Sequence, residues 1–93
     1  MINPLHFDLL SLRLLIFAAE TANLTRAAEK ANMTVSAASK RLAELERTTE
    51  CPLFVRLPRG LELTAAGQGM VEHAKTILEG VNRMACDASD YAV

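Results

Sequence analysis

The groups that make or break bonds are scattered in this chain, and that bounds what it can do. Cys51 and Cys86 stand far apart, and His6 and His73 are isolated. A zinc site draws its thiolates and imidazoles from closely spaced pairs. The pattern therefore predicts two reduced thiols, two ordinary histidines and no metal. No nucleophile is paired with a base, no two carboxylates share a plausible cleft, and no glycine loop could cradle a phosphate. An enzyme is not expected, nor a cofactor. The informative residues lie instead in 23–46, NLTRAAEKANMTVSAASKRLAELE. Here the hydroxyls of Thr25, Thr34, Ser36 and Ser39 stand among the cations Arg26, Lys40 and Arg41. Hydroxyls and cations near a helix start can bond phosphate oxygens and base edges. The chemistry on offer is recognition of DNA.

Such side chains need two helices set at an angle, and the pattern supplies them. The apolar residues Leu9, Leu12, Leu15, Ile16 and Ala19 recur at helical spacing over 8–21. Leu10, Leu14 and Phe17 make this first helix apolar on more than one face, so it is buried on several sides or awaits a partner. Asn23 suits the turn that ends it, because asparagine tolerates the left-handed conformation. A second helix spans 24–30, where Ala27, Ala28 and Ala31 allow close packing. Asn32-Met33-Thr34 forms the break. Thr34 is the expected N-cap of a third helix over 35–48. Ala38, Leu42 and Leu45 fall at core-facing spacing, leaving Val35, Ser36, Ser39 and Lys40 on another surface. The free amides of that helix end favour a nearby phosphate.

Net charge is −1, which by itself argues against a nucleic-acid partner. Its distribution argues the other way. Residues 25–60 hold seven cations against four carboxylates, a net of +3, whereas 61–93 hold two against five, a net of −3. The positive charge sits where the helix pair and the next turn lie.

Two short extended segments follow, at about 53–56 and 61–64, around Leu57-Pro58-Arg59-Gly60. They predict a small β-hairpin with Arg59 at its tip and Arg56 at its base. An arginine on such a wing can reach the minor groove, where the negative potential is strong. Thr64 caps a long last helix over 65–89. Met70, Ala74, Ile77, Val81, Met84, Ala88 and Tyr91 alternate steps of four and three, a heptad seam. Its first part can pack on the domain's own core. Beyond Val81 it projects too far for that, at about 1.5 Å per residue, and a partner helix is the expected cover, with the small Ala74 and Ala88 permitting close approach.

The chain is long enough for one domain with a modest core, built without tryptophan. No apolar run reaches the ~20 residues that span a bilayer, and the run at 14–19 lacks the basic leader of a signal peptide. No membrane partner is expected, and nothing directs the chain out of the cytosol.

Taken in order, these residues resemble the DNA-binding domain and linker helix of a LysR-type transcriptional regulator, a winged helix-turn-helix protein. The resemblance covers roughly 8–78. It is carried by Leu24-Thr25-Arg26-Ala27-Ala28-Glu29, Ala37-Ala38-Ser39-Lys40-Arg41-Leu42, Leu53-Phe54-Val55-Arg56, Arg59-Gly60 and Leu63-Thr64-Ala65-Ala66-Gly67. It implies a mostly α fold, with 1–64 as the DNA-binding domain and 65–93 as the dimerisation helix. It implies a cytoplasmic, nucleoid-associated bacterial protein that binds pseudo-palindromic promoter DNA as a dimer, often within a tetramer. Val35, Ser36 and Ser39 would read base edges. Thr25, Arg26, Thr34 and Lys40 would grip phosphates, with Arg56 and Arg59 on the wing. A small-molecule effector would act only through a C-terminal domain outside this chain, and the uncapped tail at 87–93 suggests a fragment.

Four positions depart from the family's pattern. Val35-Ser36 replaces the usual Gln-Pro, exchanging a side chain that can hold adenine bidentately for one offering only apolar contact. Glu50 replaces the glycine that usually follows the third helix, which removes the residue best suited to a left-handed cap. Pro52 replaces a common arginine. The rival to DNA binding is a winged-helix module that docks proteins, and the two differ in what the surface of the third helix and wing must contact.

Overall fold

Asp8 starts the first long helix by accepting from the Ser11 amide at 2.8 Å, the bond that defines an N-cap. In the computed structural model, which describes residues 2–92, helix α1 spans Leu9–Thr21. A short 3-10 turn at Pro4–His6 precedes it. Helix α2 covers Leu24–Lys30 and helix α3 covers Val35–Thr49. Strands β1, Phe54–Leu57, and β2, Gly60–Leu63, form an antiparallel hairpin. Helix α4, Ala65–Ser89, closes the order. This is the winged helix-turn-helix arrangement expected from the sequence, with the strands shifted by one residue. Leu57 pairs with Gly60, so the loop is only Pro58-Arg59.

Helix α1 is apolar on two faces because it is the wall between two halves of the core. On one side Leu12 and Leu15 pack with Leu45, Leu53, Val71 and Ala74. On the other, Leu14 and Ala18 meet Ala27, Ala28, Ala38 and Leu42. Alanines at those contacts let the backbones of α2 and α3 come close. Phe54 touches both clusters and joins the wing to them. Leu9 and Leu10, at the start of α1, stay exposed.

Two turns differ from expectation. Asn23 does not take the left-handed conformation after α1; Ala22 does, with φ 51°. Asn23 is extended and caps α2, accepting from the Arg26 amide at 2.9 Å. A cap acceptor contributes about 1 kcal/mol, comparable to the cost of a left-handed alanine, so the oxygen of asparagine serves better one residue later. The Ala22 carbonyl is thereby aimed at the wing and accepts from the Leu61 amide at 2.9 Å. The second difference is Glu50, which adopts the left-handed cap after α3 at φ 59° although it is not glycine. Around it, Thr49 Oγ1 bonds the Leu45 carbonyl at 3.1 Å and fixes the end of the helix.

Two glycines mark where backbones touch. A Cβ on Gly60, whose φ is +140°, would stand 2.3 Å from the Ala22 carbonyl oxygen. A Cβ on Gly67 would stand 2.2 Å from the Leu53 carbonyl oxygen, whereas Gly69 faces open space. Gly67→Ala should therefore destabilise the domain by about 1–3 kcal/mol through overpacking. Gly69→Ala should be neutral or stabilising by up to about 1 kcal/mol, since it lies in a helix interior. Thermal unfolding of the two variants, read side by side, checks this; equal melting temperatures would contradict the close approach.

Candidate nucleic-acid interface

The start of α3 is built by Thr34. Its hydroxyl accepts from the Ala37 amide at 3.1 Å, and its carbonyl accepts from the Ala38 amide at 3.0 Å. The amides of Val35 and Ser36 have no partner inside the helix, as helix geometry requires. Asn32 takes the left-handed conformation at φ 55° and turns the chain between α2 and α3. Beyond the cap, Ala38, Leu42 and Leu45 are buried while Val35, Ser36 and Lys40 are exposed. Val35 is 41% exposed, an apolar side chain held out in solvent at the helix tip.

Three elements meet on this side of the molecule. A shallow cleft is lined by Asn23, Leu24 and Thr25 from α2 and by Arg56, Leu57, Gly60 and Leu61 from the wing. The wing in turn reaches α3: Arg56 Nη2 donates to Ser39 Oγ at 2.8 Å. Arg56 therefore differs from its expected place. It pairs with Leu61, next to the tip, while Phe54 and Leu63 form the base of the hairpin. Arg59 is at the tip, exposed beside Pro58.

The cations of the chain divide into two groups. Lys30 pairs with Glu20, Arg41 with Asp8, Arg47 with Glu44 and Lys75 with Glu72. Among the described residues, Arg13, Arg26, Lys40, Arg56, Arg59 and Arg83 have no carboxylate partner, and Arg13 lies over the Phe17 ring. Arg26, Lys40, Arg56 and Arg59 lie on α2, α3 and the wing, Arg13 on α1 and Arg83 on α4, and all six are exposed. Four unpaired cations gathered on three adjoining elements present a local positive potential to an anionic polymer.

Two residues that the sequence did not assign prove to hold this face together. Arg41, adjacent to Lys40, turns away from it: Nη1 donates to the two Asp8 carboxylate oxygens at 3.2 and 3.4 Å, tying α3 to the start of α1. Glu46 accepts from the Leu53 amide at 2.8 Å, fixing the entry to the wing. Neither pairing has a local sequence motif, because each joins residues from different elements.

The seam of α4 divides at Ile77. Ala74 is 0% exposed, and Met70 is partly buried against the same cluster. The smallness of Ala74 thus lets α4 approach this chain's own core, which corrects its expected use against a partner helix. Ile77 is 46% exposed, Met84 67% and Tyr91 86%; Val81 is half-buried and Ala88 exposed.

Three helices with a two-stranded wing and an exposed, capped third helix define a winged helix-turn-helix domain. Residues 9–68 match the model of the bacterial regulatory helix-turn-helix proteins of the LysR family, and the chain belongs to that family. It is 42% identical over 71 residues to an HTH-type transcriptional regulator from the ibpB-leuC intergenic region of Azotobacter vinelandii, covering 76% of this chain and 49% of that protein. It is 40% identical over 73 residues to the SDS degradation transcriptional activation protein of a Pseudomonas species, covering 78% of this chain and 24% of that protein. The chain thus spans half or less of the length of these relatives. Among solved structures, a CbnR DBD–DNA complex superposes with a TM-score of 0.87 at 30% identity, over 94% of this chain and 100% of that one.

Thr34→Ala should remove the cap of α3 and cost about 1 kcal/mol. Amide exchange in the first turn of α3 should accelerate more than in α1. Uniform acceleration across all helices would show that Thr34 does not act locally.

Proposed function

We propose that this chain is the DNA-reading head and linker helix of a bacterial transcriptional regulator that binds promoter DNA as a dimer. The observation that carries the reading is the set of free cations Arg26, Lys40, Arg56 and Arg59 around a solvent-exposed helix start. In this reading the start of α3 enters the major groove, where Val35, Ser36 and Ser39 meet base edges. Thr25, Arg26, Thr34 and Lys40 hold the flanking phosphates, and Arg59 on the wing enters the minor groove. The similar CbnR domain, at 30% identity, was solved in complex with DNA, which supports DNA as the partner. Val35 offers thymine methyls an apolar contact in place of hydrogen bonds, so the operator step beneath it favours A·T pairs for their methyl group. By role, 1–64 form the reading head and 65–93 the linker. Such a regulator works in the cytoplasm on the nucleoid. None of the described helices is long and apolar enough to cross a membrane. Effector binding belongs to a further domain of the longer regulators.

Dimerisation runs along α4 through Ile77, Val81, Met84 and Ala88. A groove of about 390 Å³ between α1 and α4, lined by Phe7, Leu9, Leu12, Met70 and Ile77 among others, continues that apolar stripe toward the domain. A second copy of α4 fits both the length and the heptad spacing.

In vitro selection of bound DNA should yield two half-sites related by a two-fold axis. On the selected operator, Arg59→Ala should weaken binding and lower the slope of log affinity against log salt by about 0.9, the value for one phosphate neutralised. Lys40→Glu should abolish binding at moderate salt. If neither variant changes binding, or the wild type binds no promoter fragment at low salt, the protein-docking reading takes its place. Val81→Glu should sediment as a monomer in analytical ultracentrifugation; persistent dimers would place the interface elsewhere.

A further inference from the structure

The bond between Arg56 and Ser39 joins the wing to the helix that reads the groove, and its polarity has a consequence. A guanidinium can only donate, and a serine hydroxyl has one proton to give and two lone pairs to offer. Arg56 Nη2 lies 2.8 Å from Ser39 Oγ, so the serine is the acceptor and its own proton remains free. Helix hydroxyls commonly spend that proton on a carbonyl one turn back. Thr21, Thr49 and Thr76 do so, bonding Phe17, Leu45 and Glu72. Ser39 makes no such bond among the described residues.

We propose that Arg56 is a positioning residue for sequence readout. By occupying one lone pair of Ser39 Oγ, it holds the hydroxyl off the helix backbone and turns its proton outward as a donor. The target is then a base edge that accepts: N7 or O6 of guanine, N7 of adenine or O4 of thymine in the major groove. A cytosine edge, which presents the N4 donor there, is disfavoured. The arrangement rests on the DNA-binding reading above and deepens it. It assigns to a wing residue an influence on which base is read, beyond any phosphate it touches.

The two roles separate experimentally. A phosphate contact carries no sequence information, so its loss lowers affinity by one factor on every operator and reduces the salt slope. A positioning residue alters discrimination at one base pair. Affinities should be measured for wild type, Arg56→Ala, Ser39→Ala and the double variant on the selected operator and on each single base-pair change in its half-site, with circular dichroism to verify folding. Ser39→Ala should flatten a preference of about tenfold at one position. Arg56→Ala should flatten the preference at that same position, and the double variant should flatten it no further. Arg56→Ala lowering affinity equally on all operators, with discrimination at the Ser39 position intact, would overturn the assignment. Absence of wild-type binding at low salt would instead overturn the DNA-binding reading, and the assignment with it.

Discussion

The backbone of Leu53 is held on three sides. Its amide donates to the Glu46 carboxylate at 2.8 Å, its carbonyl accepts from the Thr64 amide at 3.0 Å, and that same carbonyl lies against Gly67 with no room for a Cβ. Its side chain is fully buried among Leu12, Leu15, Leu45, Val71 and Ala74. Through this one residue α3, the wing and α4 are fixed relative to α1. Burying a leucine contributes about 1.5–3 kcal/mol, and the hydrogen bonds add direction to that burial. The wing could not hold Arg56 against Ser39 without it, because a two-stranded hairpin is marginal by itself in water. Helix α4 leaves the rest of the fold at an angle set by the same knot.

Electrostatics explains why a chain of net charge −1 presents a cationic face. The screening length is about 8 Å at physiological salt. Asp87 lies 22 residues beyond Ala65 on α4, which is about 33 Å along the axis at 1.5 Å per residue. Its charge is thus about four screening lengths from the start of α4. Three of the closer carboxylates are engaged, Asp8 with Arg41, Glu20 with Lys30 and Glu44 with Arg47, while Glu29, Glu50 and Glu62 have no cation partner among the described residues. Exposed pairs like these add little stability. Arg26, Lys40, Arg56 and Arg59 stand outside these pairs, together on α2, α3 and the wing.

Local patterns made most of the fold legible. Periodicity located α1 and α3, the Thr34 and Thr64 caps set helix starts, and Pro58-Arg59-Gly60 marked the hairpin turn. Wherever two local rules competed, legibility failed. Asn23 suits both a left-handed turn and an N-cap, and only the demand that the Ala22 carbonyl reach Leu61 decides between them. Glu50 contradicts the glycine rule because burial of Leu53 and the Thr49 bonds impose the turn regardless of propensity. Residue types and order supplied the proposed members of the site, but not its wiring. The Arg56–Ser39 bond spans 17 positions and Arg41–Asp8 spans 33, and no spacing rule couples them.

Helix α4 shows how one periodic stripe can serve two surfaces in turn. Over its first three turns the stripe is closed by α1, as the full burial of Val71 and Ala74 requires. Past Ile77 the same spacing continues with less cover: Val81 is half-buried, and Met84 is 67% exposed. Isolated helices shorter than about 12–15 residues are marginal in water. The distal turns thus draw part of their order from the anchored proximal half, and the rest must come from whatever covers Ile77, Val81 and Met84. A rigid proximal half passes the orientation of that cover directly to the wing and α3 through Gly67 and Leu53. In the proposed dimer, the spacing between the two copies of α3 is in this way set by a contact far from them.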